Sequence, residues 1–126
     1  MNQELNNLVQ SLRDEFQQYV EMLVRLDRHH QSVADPSESE VHAFSREVQI
    51  QGEAIQRARR ERNQACQNLA VLLNLNAVVP VEILIPLIPE NYQPLVNELT
   101  RENHQLMEQV VESLQRKRSC IRNCPI

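Results

Sequence analysis

The stretch VHAFSREVQIQGEAIQRARRERNQACQNLAVL, residues 41–72, decides the fold of this chain. Its apolar or small residues recur on an alternating three-four spacing, which turns one side of an α-helix toward its neighbours over the whole length. Because no proline interrupts it, the stretch predicts one helix of roughly 50 Å. Such a helix needs other segments packed along it. The series consists of Val41, Phe44, Val48, Ile55, Ala58, Ala65, Leu69 and Leu72, with polar Gln51 and Arg62 in its two remaining positions.

The segment before it has the same spacing and predicts another helix. Pro36 ends that pattern, since proline disfavours helical geometry in the residue before it. Ser37 and Glu40 then form a capping box, which signals the start of the next helix. We predict a first helix over about 2–33 and a second over about 37–75, packed antiparallel because their connection is short. The first stripe consists of Leu5, Val9, Leu12, Phe16, Tyr19, Leu23, Leu26 and Val33.

A proline-containing apolar segment, residues 76–90, precedes a third predicted helix over about 91–118. Its prolines disfavour a long helix, and we interpret it as a connector that lies against the helix ends or forms a partly exposed docking surface. Residues 119–126 are predicted to fray. The third stripe consists of Tyr92, Leu95, Val96, Leu99, Leu106, Val110 and Leu114, with Asn103 in a polar position.

Composition favours an all-α fold. The 126 residues include only one glycine, which disfavours folds rich in tight turns. We therefore predict a single helical domain over residues 1–126. Its architecture is an elongated antiparallel bundle of three long helices, with the apolar connector before the last helix.

Charge, hydropathy and motifs exclude several classes of function. A net charge of −4 disfavours a nucleic-acid partner. No apolar run reaches the roughly 18 residues of a membrane span, and the N-terminus does not resemble a secretory signal, so a cytoplasmic location is predicted. The chain has no glycine-rich phosphate loop, nucleophile elbow or paired-histidine motif. We therefore predict a protein that is not an enzyme and has no cofactor.

The cysteines do not predict a metal site. Cys120 and Cys124 lie four residues apart near the C-terminus, but no second pair accompanies them, and Cys66 stands alone. We interpret the two C-terminal thiols as incidental parts of a frayed tail. A small metal-linked or redox-linked regulator is the least favoured interpretation of this chain.

Two polar residues on the stripes each allow two interpretations. Asn103 either hydrogen-bonds a bound partner or sets the register of the helices from inside the bundle. Arg62 either reaches past the core to water or pairs with a carboxylate from another helix.

The order of these elements resembles the FlgN family of flagellar-type export chaperones, over about residues 5–114. The resemblance rests on a long first helix and a second helix with the mid-helix stretch QIQGEAIQR (49–57) leading into NLAVLL (68–73). It also rests on a connector ending in Leu87-Ile88-Pro89 and a last helix with Leu95, Leu99, Asn103 and Leu106 at leucine spacing. The family often has a second asparagine where Leu106 stands, and the usual mid-helix lysine is missing here.

The resemblance implies an interaction protein. Family members hold the C-terminal, helix-forming segment of hook-associated subunits such as FlgK or FlgL, and so keep them unassembled until secretion. By this resemblance the partner-binding residues are Leu99, Asn103, Leu106, Val110 and Leu114, and recognition places a helix in a groove. The alternative is a structural coiled-coil or helical-bundle homo-oligomer, such as a homodimer, or an adaptor protein without an export client.

Overall fold

The computed structural model describes residues 1–32 and 38–122, and the side chains within 1–28 and 39–116. Its helices are α1 (Asn2–Ser32), α2 (Glu38–Leu72), the short α3 (Val81–Leu84) and α4 (Gln93–Arg122). A 3₁₀ turn over Ile85–Leu87 follows α3. The described residues contain no strand, so the all-α prediction is confirmed. The predicted capping box begins at Ser37, which lies outside the described residues.

The last helix is longer than predicted. It was expected to end near residue 118, but α4 continues to Arg122, so residues 119–122 of the predicted frayed tail are helical. The physical reason is that no glycine or proline occurs between Pro94 and Pro125. Cys124 lies outside the described residues.

Helix α2 ends in a Schellman motif. Asn74 has a φ of 61°, the left-handed conformation that asparagine tolerates better than most residues. The Leu75 amide donates to the Ala70 carbonyl at 2.9 Å, and the Asn74 amide donates to the Val71 carbonyl at 3.1 Å. These bonds satisfy carbonyl groups that the helix end would leave unpaired. The asparagine therefore explains why the helix stops before the apolar connector.

Two apolar clusters of buried side chains hold the helices together. The connector cluster joins the first half of α1 to the last part of α2, the connector and the start of α4. The distal cluster joins the second half of α1 to α2 and α4. The connector cluster consists of Leu5, Leu8, Val9, Leu12, Ala65, Cys66, Leu69, Ala70, Val81, Leu84, Ile88 and Val96. The distal cluster consists of Tyr19, Met22, Leu26, Phe44, Ile55 and Val110.

Helix α1 is the shared neighbour of the other two long helices. It packs extensively against α2 and against α4, whereas the backbones of α2 and α4 hardly approach each other within the described ranges. The space above α1 and between the other two helices is called the α2–α4 groove below. Because both outer helices rest on α1, the buried face of α1 is wider than a single stripe.

The connector buries one side and exposes the other. Val81, Leu84 and Ile88 are buried in the connector cluster. Val78, Ile83 and Leu87 are 76%, 50% and 48% exposed. The segment thus lies against the helices and also presents apolar surface, and its use as a docking surface stays a prediction.

Gly52 is a weak point of α2 and offers a simple test of the fold. A Cβ atom added there would meet no atom within 4 Å outside its own helical turn, so no close helix approach requires a glycine at this position. Alanine is intrinsically favoured over glycine in a helix interior by up to about 1 kcal/mol. We expect Gly52→Ala to raise the free energy of unfolding by about 0.5–1 kcal/mol, measured by urea denaturation. A loss of stability would contradict the open surroundings of this residue.

Candidate functional site

Glu15 lies on the buried face of α1. The observed buried series is Leu5, Leu8, Leu12, Glu15, Tyr19, Met22 and Leu26, which again alternates three and four residues. Phe16 and Leu23, which the predicted stripe contained, are only partly buried. Five members of the predicted stripe, Leu5, Val9, Leu12, Tyr19 and Leu26, are also buried. The buried face is therefore widened toward Leu8, Glu15 and Met22, which places the Glu15 carboxylate, whose residue is 2% exposed, between the two apolar clusters.

Two side chains contact the Glu15 carboxylate. The Tyr19 hydroxyl donates to Glu15 Oε2 at 2.6 Å. Arg62 Nη1, from α2, donates to Oε2 at 3.4 Å and lies 3.3 Å from Oε1. Of the two interpretations of Arg62, pairing with a carboxylate from another helix is thus the one observed. Burial, together with the bond to Glu15, raises the pKa of Tyr19, so its hydroxyl remains a proton donor at neutral pH.

Asn103 joins α4 to α1 next to Glu15. Its Nδ2 group donates to the Leu12 carbonyl at 3.1 Å, and the residue is 4% exposed. A side chain that bonds a specific backbone carbonyl of the neighbouring helix fixes the relative position of the two helices. Its Oδ1 atom is buried and has no hydrogen-bond partner within the protein. The Asn103 side chain therefore ties α4 to α1, as the register interpretation predicts, and retains one acceptor without a partner in the protein.

These polar groups surround a cavity of about 100 Å³ in the α2–α4 groove. Helix α1 contributes Leu12, Glu15 and Tyr19 to its lining, and α2 contributes Arg59 and Arg62. Helix α4 contributes Thr100, Asn103, His104 and Met107. The cavity thus lies where all three long helices meet. One part of its wall is open to solvent, because His104 is exposed.

A polar contact ties the connector to the same place. His104 Nε2 lies 2.9 Å from Glu82 Oε1 on α3. The hydrogen bond to His104 holds the pKa of Glu82 below its usual value. Both side chains are about half exposed, so the pair contributes little to stability. The position of α3 is set by Val81 and Leu84, which are buried in the connector cluster, and the polar pair lies beside the cavity.

A second buried polar contact joins α1 and α2 away from the cavity. Gln51, which is 3% exposed, donates from Nε2 to the Gln18 carbonyl at 3.1 Å and to Gln18 Oε1 at 2.8 Å. Its own Oε1 accepts from Arg25 Nε at 3.0 Å. Both hydrogen-bonding ends of the Gln51 amide are satisfied inside the protein. This contact is therefore structural, unlike the incompletely paired groups at the cavity.

Of the partner-binding residues predicted from the FlgN resemblance, Asn103 and Val110 are buried, whereas Leu99, Leu106 and Leu114 are partly buried. Val110 belongs to the distal cluster, with Leu106 and Leu114 packed against that cluster, and Leu99 packs against the connector cluster. Asn103 is the member of this set that lines the cavity. The structure therefore does not gather the five residues into one free surface, and their binding role stays a prediction.

The cavity lining also contains residues that the sequence patterns did not identify. Glu15 and His104 were not assigned to a site, although the second three-four series through Leu8, Leu12 and Glu15 was present in the sequence. A carboxylate at an otherwise apolar position of that series is the sequence signal that identifies Glu15. Its α2 partner, Arg62, had been identified as a polar interruption of a stripe.

The cysteines and acidic residues form no evident chemical centre in the described part of the chain. Among its side chains, no three His, Cys, Asp or Glu residues come together in a group that could hold a metal. Cys66 is buried in the connector cluster, and burial raises the pKa of its thiol to about 11. A thiol in that state is a packing group. The side chain of Cys120 lies outside the described side chains.

Comparisons with known proteins identified no similar protein. No family model, curated protein or solved structure matches the chain. Within the described ranges, no helix combines the length and apolar character needed to cross a membrane.

Proposed function

We propose that this protein is a cytoplasmic export chaperone of the FlgN type, which binds the C-terminal helical segment of a FlgK-like or FlgL-like hook-associated subunit and keeps it unassembled until secretion. In this proposal the three long helices act as an elongated antiparallel bundle, and the client helix lies in the α2–α4 groove. The observation that carries the proposal is that the backbones of α2 and α4 hardly approach each other along α1, and that a cavity of about 100 Å³ lies between them.

The chemistry of this space supports a helical occupant. Helix-in-groove recognition needs an apolar floor, because a client helix contributes an apolar stripe. Met107 is partly buried at the groove and packs against the distal cluster. Beyond the groove, Ile83, Leu87 and Leu95 leave apolar surface exposed at the connector and the start of α4. A client helix that covered some of this surface would remove apolar area from water.

The proposal assigns different roles to the five residues that the resemblance identified. Asn103 contacts the client, since it lines the cavity. Leu99, Leu106, Val110 and Leu114 position α4 as one wall of the groove through their packing against the apolar clusters. Of these four residues, Val110 is buried and the other three are partly buried.

Calorimetric titration tests the proposal. The intact protein is titrated with purified C-terminal segments of the hook-associated subunits of its own source. We expect Met107→Lys, which places a charge in the groove, to weaken binding by about tenfold or more. The matched control is Val24→Lys on α1. Val24 is 46% exposed and lies two residues from buried Met22 and Leu26, so it points away from the core.

The outcomes separate the alternatives. Binding that Met107→Lys weakens and Val24→Lys leaves within about twofold supports a client in the groove. If none of the segments binds, the export-chaperone function is wrong. A dimer that persists on dilution without client binding would instead favour the structural homo-oligomer, with the exposed apolar residues used for self-association.

A further inference from the structure

The cavity has hydrogen-bonding capacity that the protein itself does not use. Arg62 Nε and Asn103 Oδ1 are buried and have no hydrogen-bond partner within the protein. Glu15 Oε1 is also buried, and its contact with Arg62 lacks hydrogen-bond geometry. Glu15 and Asn103 are 2% and 4% exposed. Buried polar groups are nearly always paired, so this set of one donor and two acceptors indicates a site for a polar group from outside.

The charges at the cavity select a neutral group. Glu15 and Arg62 carry opposite charges and already compensate each other, while Arg59, the other arginine of the lining, is only partly buried and keeps contact with water. A lysine or arginine side chain would add an unpaired positive charge, and a carboxylate would face Glu15. Both arrangements are costly in a place with little access to water.

The donors and acceptors select an amide among neutral groups. A primary carboxamide carries two N–H donors and one carbonyl acceptor, whereas a hydroxyl carries one donor. Two donors match the two free acceptors, Glu15 Oε1 and Asn103 Oδ1, and the carbonyl matches the Arg62 Nε–H group. The cavity volume of about 100 Å³ exceeds the roughly 30 Å³ that one water occupies in the liquid, so a small side-chain group has room.

We propose that the helical client presents an Asn or Gln side chain to this cavity, donating to Glu15 Oε1 and Asn103 Oδ1 and accepting from Arg62 Nε. This inference rests on the proposed function, since it specifies the client of the same groove. It assigns client selection to three residues from three different helices. The apolar stripe of the client then supplies binding area, and the amide fixes which turn of the client lies over the cavity.

A double-mutant cycle tests the inference with the client segment that the calorimetric titration identifies. Each Asn of the segment is replaced by Leu and each Gln by Met, and each variant is titrated into the intact protein. We expect one position at which the replacement weakens binding about tenfold or more. With Asn103→Leu in the protein, the same replacement is expected to change binding by less than about twofold.

A matched control and a second variant keep the test decisive. Thr100→Val also alters a buried side chain at the cavity, but its hydroxyl already bonds the Val96 carbonyl at 2.8 Å. We therefore expect the client replacement to retain its full effect in Thr100→Val. If Asn103→Leu does not fold, Arg62→Lys is used instead, because it keeps the positive charge and removes the Nε donor.

The outcomes distinguish this inference from the function on which it rests. If the segment binds and no Asn or Gln position is coupled to Asn103 or Arg62, water alone completes the cavity and the amide is wrong, while the export-chaperone function stands. If the client replacement loses its effect in Thr100→Val as it does in Asn103→Leu, the specific role of Glu15, Arg62 and Asn103 is wrong. If no segment binds, both proposals fail together.

Discussion

Replacing Glu15 with alanine is expected to lower the free energy of unfolding by about 3 kcal/mol. The carboxylate is 2% exposed and serves two partners on two helices. Its removal leaves the Tyr19 hydroxyl without an acceptor, at 1% exposure of that residue, and leaves Arg62 without its counter-charge. Arg62 retains 19% side-chain exposure, which limits the loss because the guanidinium can reach water. Urea denaturation, followed by circular dichroism at fixed protein concentration, measures the change.

Two further variants separate charge from packing at this position. Glu61→Ala removes an exposed carboxylate beside Arg62 and is expected to change stability by no more than about 0.5 kcal/mol. Glu15→Gln keeps the size of the side chain and an acceptor for Tyr19, so it should cost less than Glu15→Ala. Equal effects of Glu15→Ala and Glu61→Ala would show that the buried network contributes nothing specific.

Replacing Leu84 with alanine is expected to cost about 3 kcal/mol, the second large effect. Leu84 is 0% exposed and belongs to α3, which packs against α2 and lies beside the 3₁₀ turn that contacts α4. Truncation of Leu84 leaves a cavity in the connector cluster. The surrounding helices would have to shift to fill it. The same denaturation experiment measures the loss.

Leu87 provides the control for Leu84. It lies three residues further along the same connector and is 48% exposed. Leu87→Ala should change stability by no more than about 0.5 kcal/mol. A small effect of both variants would mean that the connector does not dock on the helices. A large effect of Leu87→Ala alone would mean that its exposed face is covered in solution.

Much of the fold could be predicted from local patterns. Helix period, proline positions and the scarcity of glycine identified the all-α class, and the long helices are α1, α2 and α4. The exact face that α1 buries could not be predicted, because periodicity in one segment does not reveal that two helices pack on it. The burial of Glu15 and the partial exposure of Phe16 accompany the packing of α1 against both α2 and α4. Such information resides in contacts between distant parts of the chain.

The candidate site was predictable only in part, for the same reason. Arg62 and Asn103 were visible as polar interruptions of apolar stripes. Their proximity to Glu15 depends on the register of three helices. A shift of one helix by one residue would turn these side chains away from each other. The assignment of Leu99 and Val110 to a partner surface came from the resemblance alone. In the structure these residues are used for packing α4 within the molecule.

The central position of α1 also has a consequence for how stability is distributed along the chain. Helix α4 depends on one long neighbour, whereas α1 is held on two sides. Separation of α4 breaks one of the two large interfaces and leaves the interface between α1 and α2 in place. The backbone amides of α4 can therefore exchange with solvent through a partial opening that costs less free energy than global unfolding. Amides of α1 that face both outer helices exchange only when the whole cooperative unit opens, so the last helix is the segment a partner could most easily remodel.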